Sequence, residues 1–300
     1  MDALVLEDIA KSFGSVRAVD SLSLTVPVGS IYGFLGPNGA GKTTTLRMVM
    51  DIIRPDSGGI HILGNGSTGR VKDQVGYMPE ERGLYPKMTV RAILAYLAAL
   101  KGVRKADIAS RIQGWLKEVN LVGWADRKVH ELSRGMQQRL QFAATVISDP
   151  ALLILDEPFS GLDPVNLDLL KGIVLRMRDE GKTVIFSTHM MEQAENVCDS
   201  IVLINEGRKV LDGPLDEIRA QHRSHAVIVE LEGDADFIDG LPMVSSTVRV
   251  GEKLEILLEE GADDQDLLRA LVGKVRVRSF AARVPSLHEI FVRVVGDSDA

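Results

Sequence analysis

The segment Gly36–Thr43, with the sequence GPNGAGKT, constrains the fold more than any other part of the chain. Two glycines separated by four residues precede a lysine and a threonine, which is the phosphate-loop pattern. In this pattern backbone N–H groups surround a polyphosphate. Lys42 is expected to reach the β- and γ-phosphates, and the hydroxyl of Thr43 to ligate Mg²⁺. The segment therefore predicts a nucleotide-binding loop.

The residues on either side of this loop fit the same interpretation. Ile31–Leu35 is an apolar run that predicts a buried strand entering the loop, and Thr44–Ile53 predicts a helix leaving it. The phosphates would then lie at a helix N-terminus, where unpaired N–H groups and the helix dipole favour anions. A strand, a glycine-rich turn and a helix are thus expected in that order.

Apolar strand-like runs alternate with helical periodicity from Ala3 to about Asp212, which predicts an α/β sheet packed on both faces. The segment from Thr89 to Glu131 is mostly helical in pattern and predicts a helical insertion, with Thr89 as the N-cap of its first helix. The predicted buried strands are Ile31–Leu35, Leu152–Leu155, Val184–Ser187 and Ile201–Ile204.

A different pattern follows residue 222 and predicts a second, small α+β domain over residues 223–300. Short alternating runs predict strands, and an acidic segment predicts a helix at Asp263–Leu271. With a further helix at Asp234–Leu241 the segment would form a β-α-β-β-α-β unit. The predicted strands are Ala226–Leu231, Thr247–Val250, Leu254–Leu258 and Lys274–Phe280.

Composition excludes several classes of protein. A net charge of −7 disfavours a nucleic-acid-binding protein, which needs clustered lysine and arginine. The single cysteine, Cys198, excludes an internal disulfide framework and fits a reducing compartment. No apolar run approaches the ~20 residues of a membrane-spanning helix, and the N-terminus lacks the pattern of a secretory signal. Any association with a membrane is therefore expected to be peripheral.

Several further motifs follow the phosphate loop along the chain. Leu152–Glu157 is an apolar strand that ends in two acids, of which one can support Mg²⁺ and the next can orient an attacking water. Upstream lies Leu132–Met136, with the sequence LSRGM, and downstream lie Ser160–Asp163 and His189. Taken singly, Ser133 is more simply a helix cap, Asp163 part of a surface loop and His189 a solvated side chain.

In this order and spacing, the motifs resemble the nucleotide-binding subunit of ABC transporters over roughly residues 3–215. The resemblance implies a P-loop NTPase fold of the ABC type, an α/β domain over residues 1–222 with a helical subdomain at about 89–145. Such subunits hydrolyse ATP with Mg²⁺ as cofactor.

The resemblance also implies roles for individual residues. Glu157 corresponds to the general base, His189 to the switch histidine at the γ-phosphate, and Lys42 to the lysine that neutralises the phosphates. The residues expected to hold Mg²⁺ are Thr43, Glu80 and Asp156. The residues expected to contact ATP are Phe13, Gly36, Pro37, Asn38, Gly39, Ala40, Gly41, Lys42, Thr43, Thr44, Glu80, Ser133, Arg134, Gly135, Asp156 and Asp163.

In the family, the signature loop that Ser133 and Gly135 match binds the γ-phosphate held by the other subunit, and Asp163 matches the loop that crosses between subunits. The resemblance therefore implies an ATP-dependent dimer of two copies with two ATP sites, in which a single copy completes neither site.

Three features depart from the usual family pattern. Arg134-Gly135-Met136 stands in place of Gly-Gly-Gln, so that Arg134 either meets phosphate or reaches solvent. Glu80 stands where a glutamine is usual, and it is either an Mg²⁺ ligand or a surface acid paired with Arg82. Phe13 replaces the usual tyrosine that stacks on adenine, and its alternative is a place in the core.

The variants at Glu80 and Arg134-Gly135-Met136, together with the run Gly83–Pro86, resemble the sodium-export-type branch of ABC ATPases. Members of this branch carry a small C-terminal domain, whose closing helix Pro285–Phe291 resembles, and work with a separately encoded permease. The resemblance implies an exporter subunit in the cytoplasm, peripheral on the inner face of the membrane through that permease, with no nucleic-acid partner. Two alternatives remain: a soluble ABC ATPase that acts on a ribosome or nucleic-acid complex, and a regulatory binding module without turnover.

Overall fold

The computed structural model describes residues 2–66, 71–81, 83–222 and 225–296. The chain divides into two compact units. The first runs to Leu215 and also includes Val294–Gly296, and the second is Asp216–Arg293. This division falls one short helix earlier than the predicted boundary after residue 222. Among the described residues, no helix is long and apolar enough to cross a membrane.

The first unit contains two sheets and a set of helices. Its strands are β1 (Asp2–Phe13), β2 (Val16–Pro27), β3 (Ile31–Leu35), β4 (Ser57–Ile62), β5 (Asn65–Gly66), β6 (Val75–Met78), β7 (Leu152–Asp156), β8 (Thr183–Thr188), β9 (Ser200–Asn205) and β10 (Arg208–Pro214). Its α-helices before the boundary are α1 (Lys42–Val49), α2 (Val90–Leu100), α3 (Lys105–Glu118), α4 (Arg134–Val146), α5 (Pro164–Asp179) and α6 (Met191–Glu195).

A six-stranded sheet in the order β10-β9-β3-β8-β7-β6 forms the centre of this unit. All its neighbouring strands are parallel except β10, which is antiparallel to β9. Every residue of β3, β7 and β8 is buried, as expected for parallel strands covered on both faces. The four predicted buried strands are therefore confirmed.

The carboxyl ends of β3, β7 and β8 meet at one edge of this sheet. Leu35 pairs with Thr188, and Asp156 pairs with Ser187. Loops that follow these strands are therefore brought together, and this edge is where open α/β sheets bind ligands.

None of the strands of the second sheet of this unit is among those predicted from the sequence. The sheet is antiparallel, with the order β2-β1-β4-β5. Apolar residues of β1 and β2, such as Leu6 and Leu24, share one buried core with Leu46 and Val49 of α1. This sheet therefore packs against the helix that follows the phosphate loop.

The predicted helical segment after residue 89 is confirmed by α2, α3 and α4. The side-chain oxygen of Thr89 accepts a hydrogen bond from the N–H of Ala92 at 3.2 Å, which is the expected N-cap arrangement. The helix after the phosphate loop is shorter than predicted. It begins at Lys42 and ends at Val49, because Asp51 adopts a left-handed conformation with φ 53° that no α-helix continues through.

The second unit begins with α7 (Leu215–Gln221) at the boundary and contains one antiparallel sheet in the order β12-β13-β11-β14. Its strands are β11 (Ala226–Glu232), β12 (Val244–Val250), β13 (Lys253–Leu258) and β14 (Arg276–Ala282), and its further helix is α8 (Asp264–Leu271). The last helix, α9 (Leu287–Gly296), belongs to this unit as far as Arg293. Val229, Ile256 and Leu267 belong to its own buried core. The small α+β architecture is thus confirmed.

One predicted helix of this unit is wrong. Asp234–Leu241 forms only a 3₁₀ turn at Asp236–Gly240. The carboxylate of Asp234 accepts a hydrogen bond from the N–H of Asp236 at 3.0 Å. Such local side-chain bonds compete with the helical pattern, and Gly240 further weakens a helix in so short a segment.

Candidate functional site

The phosphate loop lies between β3 and α1 and depends on glycine at particular positions. Gly36, Gly39 and Gly41 have φ values of 147°, 83° and 102°, which L-residues rarely adopt. A Cβ atom on Gly36 would lie 2.1 Å from the carbonyl oxygen of Ile204, and one on Gly41 2.3 Å from that of Ala18. The loop is therefore packed directly against backbone on two sides.

A cavity of about 280 Å³ opens beside this loop. It gathers residues from the loop, from the segment after β6 and from the segment after β7. Its lining residues are Ala18, Asn38, Gly39, Ala40, Gly41, Lys42, Thr43, Thr44, Glu80 and Glu157. Most of the predicted phosphate-loop contacts thus surround one cavity, together with two of the predicted acids.

The ammonium group of Lys42 is buried within this loop. Its Nζ donates hydrogen bonds to the carbonyl oxygens of Gly36 at 2.7 Å and Pro37 at 2.9 Å. Burial lowers the pKa of Lys42, and the nearby carboxylates of Glu157, Asp156 and Glu80 act in the opposite direction. The lysine is thus a buried cation with carboxylates nearby, and it lines the cavity.

Asp156, the last residue of β7, is fully buried. Its Oδ1 accepts hydrogen bonds from the hydroxyls of Thr43, at 3.2 Å, and of Ser187. Its Oδ2 is buried and has no hydrogen-bond partner. A buried carboxylate oxygen without a partner is costly, and a bound cation or its water shell would satisfy it.

These oxygens fit a magnesium site. Mg²⁺ is usually held by one or two protein oxygens, with substrate phosphates and waters completing the octahedron. The part of the chain that the structure describes has no cluster of three or more His, Cys, Asp or Glu side chains suited to a metal. The donors available are therefore Thr43 and Asp156, with Glu80 on the cavity wall.

Glu157 has an unusual backbone conformation for its residue type, with φ 51°. Its N–H donates to the hydroxyl of Ser187 at 3.1 Å and to the carbonyl oxygen of Ser187 at 3.2 Å. Its Oε1 accepts from the N–H of His189 at 3.1 Å and lies 2.8 Å from Nδ1 of the same residue. Its carboxylate therefore faces the cavity while touching His189.

The predicted signature residues lie elsewhere. Ser133 caps α4, its Oγ accepting from the N–H of Met136 at 3.3 Å. Asp163 caps α5 by accepting from the N–H of Asn166 at 3.0 Å, and this hydrogen bond lowers the pKa of Asp163. Both residues are exposed. Neither they nor Arg134 and Gly135 line the cavity.

The starts of α4 and α5 are neighbours. A Cβ atom on Gly135 would lie 3.7 Å from Cδ2 of Leu162. The signature segment and the segment carrying Asp163 therefore form one exposed surface, and the phosphate loop with its acids forms another. The structure brings together the predicted residues of each surface but does not bring the two sets into one cavity.

Phe13 lies at the end of β1 with 51 % of its surface exposed, so the alternative of a core position is wrong. Nζ of Lys11 lies 5.7 Å from the centroid of its ring. Phe13 is not among the residues that line the cavity, and its stacking role stays a prediction.

The alternative role of Glu80 is an ion pair with Arg82. Arg82 lies outside the described residues.

Three residues that contact the site were not predicted. Ser187 hydrogen-bonds both acids, and Gln138 and Gln141 donate to the backbone beside Glu157 and Glu80. The only sequence signal was that the helix after the signature is rich in glutamine. A serine at the end of an apolar strand gave no signal, because its role depends on β7 lying beside β8.

The fold and the site define a phosphate-loop ATPase, and comparison with known proteins gives the family. Residues 19–160 match the family described as ABC transporter. Residues 213–295 match the C-terminal domain of the family described as ATP-binding protein DrrA1-3-like. The predicted small C-terminal domain thus has a counterpart in a known family.

Relatives of similar length confirm this. The chain is 40 % identical to the uncharacterized ABC transporter ATP-binding protein YhaQ of Bacillus subtilis (strain 168), over 98 % of each protein. It is 34 % identical to the Nod factor export ATP-binding protein I of Ralstonia nicotianae, over 98 % of the chain and 94 % of the relative. The chain belongs to the family of ABC transporter ATP-binding proteins, which hydrolyse ATP.

Solved structures of similar fold agree. One, an ATP-binding subunit of an ABC transporter, has a TM-score of 0.68 and 30 % identity over 73 % of this chain and 92 % of its own. Another, cbiO1 of Clostridium perfringens, part of the transporter complex cbiONQ, has a TM-score of 0.65 and 25 % identity, covering 73 % and 91 %. The predicted ABC-type ATPase fold is therefore confirmed.

Proposed function

We propose that two copies of this chain bind two ATP molecules between them and drive a separate membrane permease that exports its cargo. The observation that carries the proposal is the separation of two sets of residues. Lys42 and Glu157 line one cavity, whereas Ser133 and Gly135 lie on another surface of the same chain. A site that needs both sets is completed only when a second copy presents its signature surface.

The residues of the cavity support hydrolysis of the terminal phosphate. Glu157 would accept a proton from, or polarise, the attacking water, and His189 would hold that carboxylate in place while contacting the γ-phosphate. Lys42 would offset the charge that develops on the phosphate oxygens. In the proposed dimer, Ser133, Gly135 and Arg134 of the partner would close the other side.

Thr43, Asp156 and Glu80 would hold magnesium. Bound magnesium would neutralise phosphate charge during the transfer. The proposal rests on the unpartnered Oδ2 of Asp156 and on the place of Glu80 in the cavity wall. The exposed ring of Phe13 would stack on adenine.

A permease partner and an export direction are supported by the relatives. Proteins that match almost the whole chain are named as export ATP-binding proteins. Under this proposal the chain is cytoplasmic and reaches the membrane through its partner. No described feature favours the alternative of a ribosome-bound or nucleic-acid-bound ATPase.

Glu157→Gln tests the proposed base and the proposed dimer together. The amide keeps the shape of the side chain but accepts a proton far more weakly, so turnover should fall at least 100-fold while ATP binding persists. ATP that is bound but not cleaved should hold two copies together. Light scattering after size-exclusion chromatography with ATP and Mg²⁺ should then show a dimer.

The control is the double variant Glu157→Gln with Ser133→Arg, which should bind ATP and stay monomeric because a bulky cation blocks the signature surface. Turnover of Glu157→Gln within tenfold of wild type would refute the base assignment. A monomer at saturating ATP would refute the dimer. Co-purification from detergent-solubilised membranes distinguishes the partners: a multi-span protein supports the permease, and a ribosome or nucleic acid supports the alternative.

A further inference from the structure

Helix α4 carries three glutamines that make the same kind of contact with three different segments. Each glutamine donates from Nε2 to two backbone carbonyl oxygens. Nε2 of Gln137 donates to the carbonyl oxygens of Leu132 at 3.0 Å and Val129 at 3.3 Å, in the segment that leads into Ser133. The other two, Gln138 and Gln141, bond the segments that carry the acids of the nucleotide cavity.

Gln138 contacts the segment of the proposed base. Its Nε2 lies 3.0 Å from the carbonyl oxygen of Pro158 and 3.4 Å from that of Glu157. The N–H of Glu157 is bonded on the opposite side by Ser187. Glu157 is thus held at both ends of its backbone in a left-handed conformation that its residue type disfavours.

Gln141 makes the corresponding contact with the segment that carries Glu80. Its Nε2 lies 2.8 Å from the carbonyl oxygen of Pro79 and 3.4 Å from that of Glu81. These two residues flank Glu80 directly, so the amide fixes the backbone on both sides of an acid whose own side chain is exposed to the cavity.

Both glutamines are almost fully buried, with 5 % of Gln138 and 4 % of Gln141 exposed. Burying an amide is unfavourable unless its polar atoms are bonded. The Oε1 atom of Gln141 is nevertheless buried without a partner. Packing alone would favour an apolar side chain of the same length at this position, so the amide is better explained by what its N–H groups hold.

We propose that Gln138 and Gln141 are positioning residues, which fix the general base and the magnesium-side acid through their backbones. Because Ser133 begins the same helix, the position of α4 also links the signature surface to the geometry of the chain's own cavity. This inference rests on the proposed roles of Glu157 and Glu80.

The test replaces each glutamine with methionine, which has similar length and no N–H donor. Gln138→Met should lower kcat for ATP at least tenfold and leave the KM for ATP within about twofold, since the phosphate loop is untouched. Gln141→Met should raise the Mg²⁺ concentration needed for half-maximal turnover at least threefold. Gln113→Met, at an exposed position of α3, is the control for the glutamine-to-methionine change, and its kcat and Mg²⁺ dependence should stay within twofold of wild type.

Thermal unfolding separates positioning from a merely structural role. Gln141→Met removes an unpartnered buried oxygen but also leaves the carbonyl oxygens of Pro79 and Glu81 without their donor, and these two effects oppose each other. Its melting temperature should therefore stay close to that of wild type while its Mg²⁺ dependence is impaired. Gln138→Glu adds a pH readout. Buried beside two carbonyl oxygens, this carboxyl is expected to have a raised pKa and to donate a hydrogen bond once protonated. Its kcat relative to Gln138→Met should therefore rise as the pH falls from 8 to 6.

The outcomes distinguish this inference from the proposed function. If Glu157→Gln is inactive and Gln138→Met matches Gln113→Met in kcat, Gln138 does not position the base. If Gln141→Met has the Mg²⁺ dependence of wild type, Gln141 does not position Glu80. If Glu157→Gln itself keeps wild-type turnover, the proposed base is wrong, whatever the glutamine variants do.

Discussion

The three glycines of the phosphate loop serve different purposes, although the sequence motif presents them alike. Gly36 and Gly41 face backbone carbonyl oxygens that a methyl group would overlap, whereas nothing lies within 4 Å of a Cβ atom on Gly39. All three have positive φ. Close packing is therefore required at two positions, and conformational freedom alone at the third.

Gly41→Ala should destabilise the nucleotide-free protein more than Gly39→Ala. A positive φ costs an alanine about 1–2 kcal/mol at either position. At Gly41 the new methyl group would also press on the carbonyl oxygen of Ala18, adding roughly 1–3 kcal/mol of overpacking. Urea unfolding followed by circular dichroism measures the difference, and equal losses for the two variants would contradict it.

At the residue scale, the parts of the site that depend on local chemistry could be predicted. The loop residues, Asp156 and Glu157 follow from short motifs whose geometry is set within a few residues. Ser187 and Gln138 could not be assigned, because each acts on a segment distant in sequence. A single sequence shows that glutamine is present but not which carbonyl oxygen it reaches.

At the scale of elements, two exposed caps define the surface assigned to the dimer. Ser133 caps α4 and Asp163 caps α5. Each cap satisfies one backbone N–H that a helix start leaves unpaired. The caps thus explain the local structure of these residues, and a role toward a second copy is additional to that structural role.

The cap at Asp163 should make stability depend on pH. Its pKa in the folded protein is below its ordinary value of 3.8, so the unfolded state binds more protons between these two values. The contribution of the charged cap is therefore complete above pH 3.8 and is lost as pH falls through the folded pKa. Asp163→Asn keeps a capping oxygen without the charge.

The expected result is that Asp163→Asn is less stable than wild type at pH 7 and that this difference shrinks at pH 3. Urea unfolding at the two pH values measures it, with Asp179→Asn at the other end of α5 as a control. A difference that stays constant from pH 7 to pH 3 would show that the charge at the cap does not stabilise the fold.

Element types were predicted better than element ends. The four predicted strands of the parallel sheet, β3, β7, β8 and β9, are mostly apolar and were placed correctly, since both of their faces are buried. The end of α1 depends on the left-handed Asp51, and the expected helix at Asp234–Leu241 gave way to a local carboxylate–backbone bond. Neither feature has a periodic sequence signal.

At the scale of the whole molecule, each of the two units has its own buried core. Both tryptophans of the chain, Trp115 and Trp124, belong to the first unit, which also contains the nucleotide cavity. Tryptophan fluorescence therefore reports on the unit to which ATP is expected to bind.

ATP with Mg²⁺ should stabilise the transition seen by tryptophan fluorescence. At a ligand concentration 100-fold above Kd, binding to the folded state alone adds about 2.7 kcal/mol. Urea unfolding of the Glu157→Gln variant, which is expected not to consume the ligand, measures the shift. Adding Lys42→Ala to that variant should remove the shift, and an equal shift with and without Lys42 would place the nucleotide elsewhere.

The positive φ of Glu157 lowers the stability of the fold, whereas the carboxylate of the same residue is proposed to be needed for turnover. Glycine or asparagine would adopt that backbone more easily, by about 1 kcal/mol or more, but neither offers a carboxylate to the cavity. Selection for a higher free energy of unfolding alone would therefore replace glutamate at this position. An engineer who ranks variants by melting temperature would therefore be led to discard the very residue proposed to activate the water.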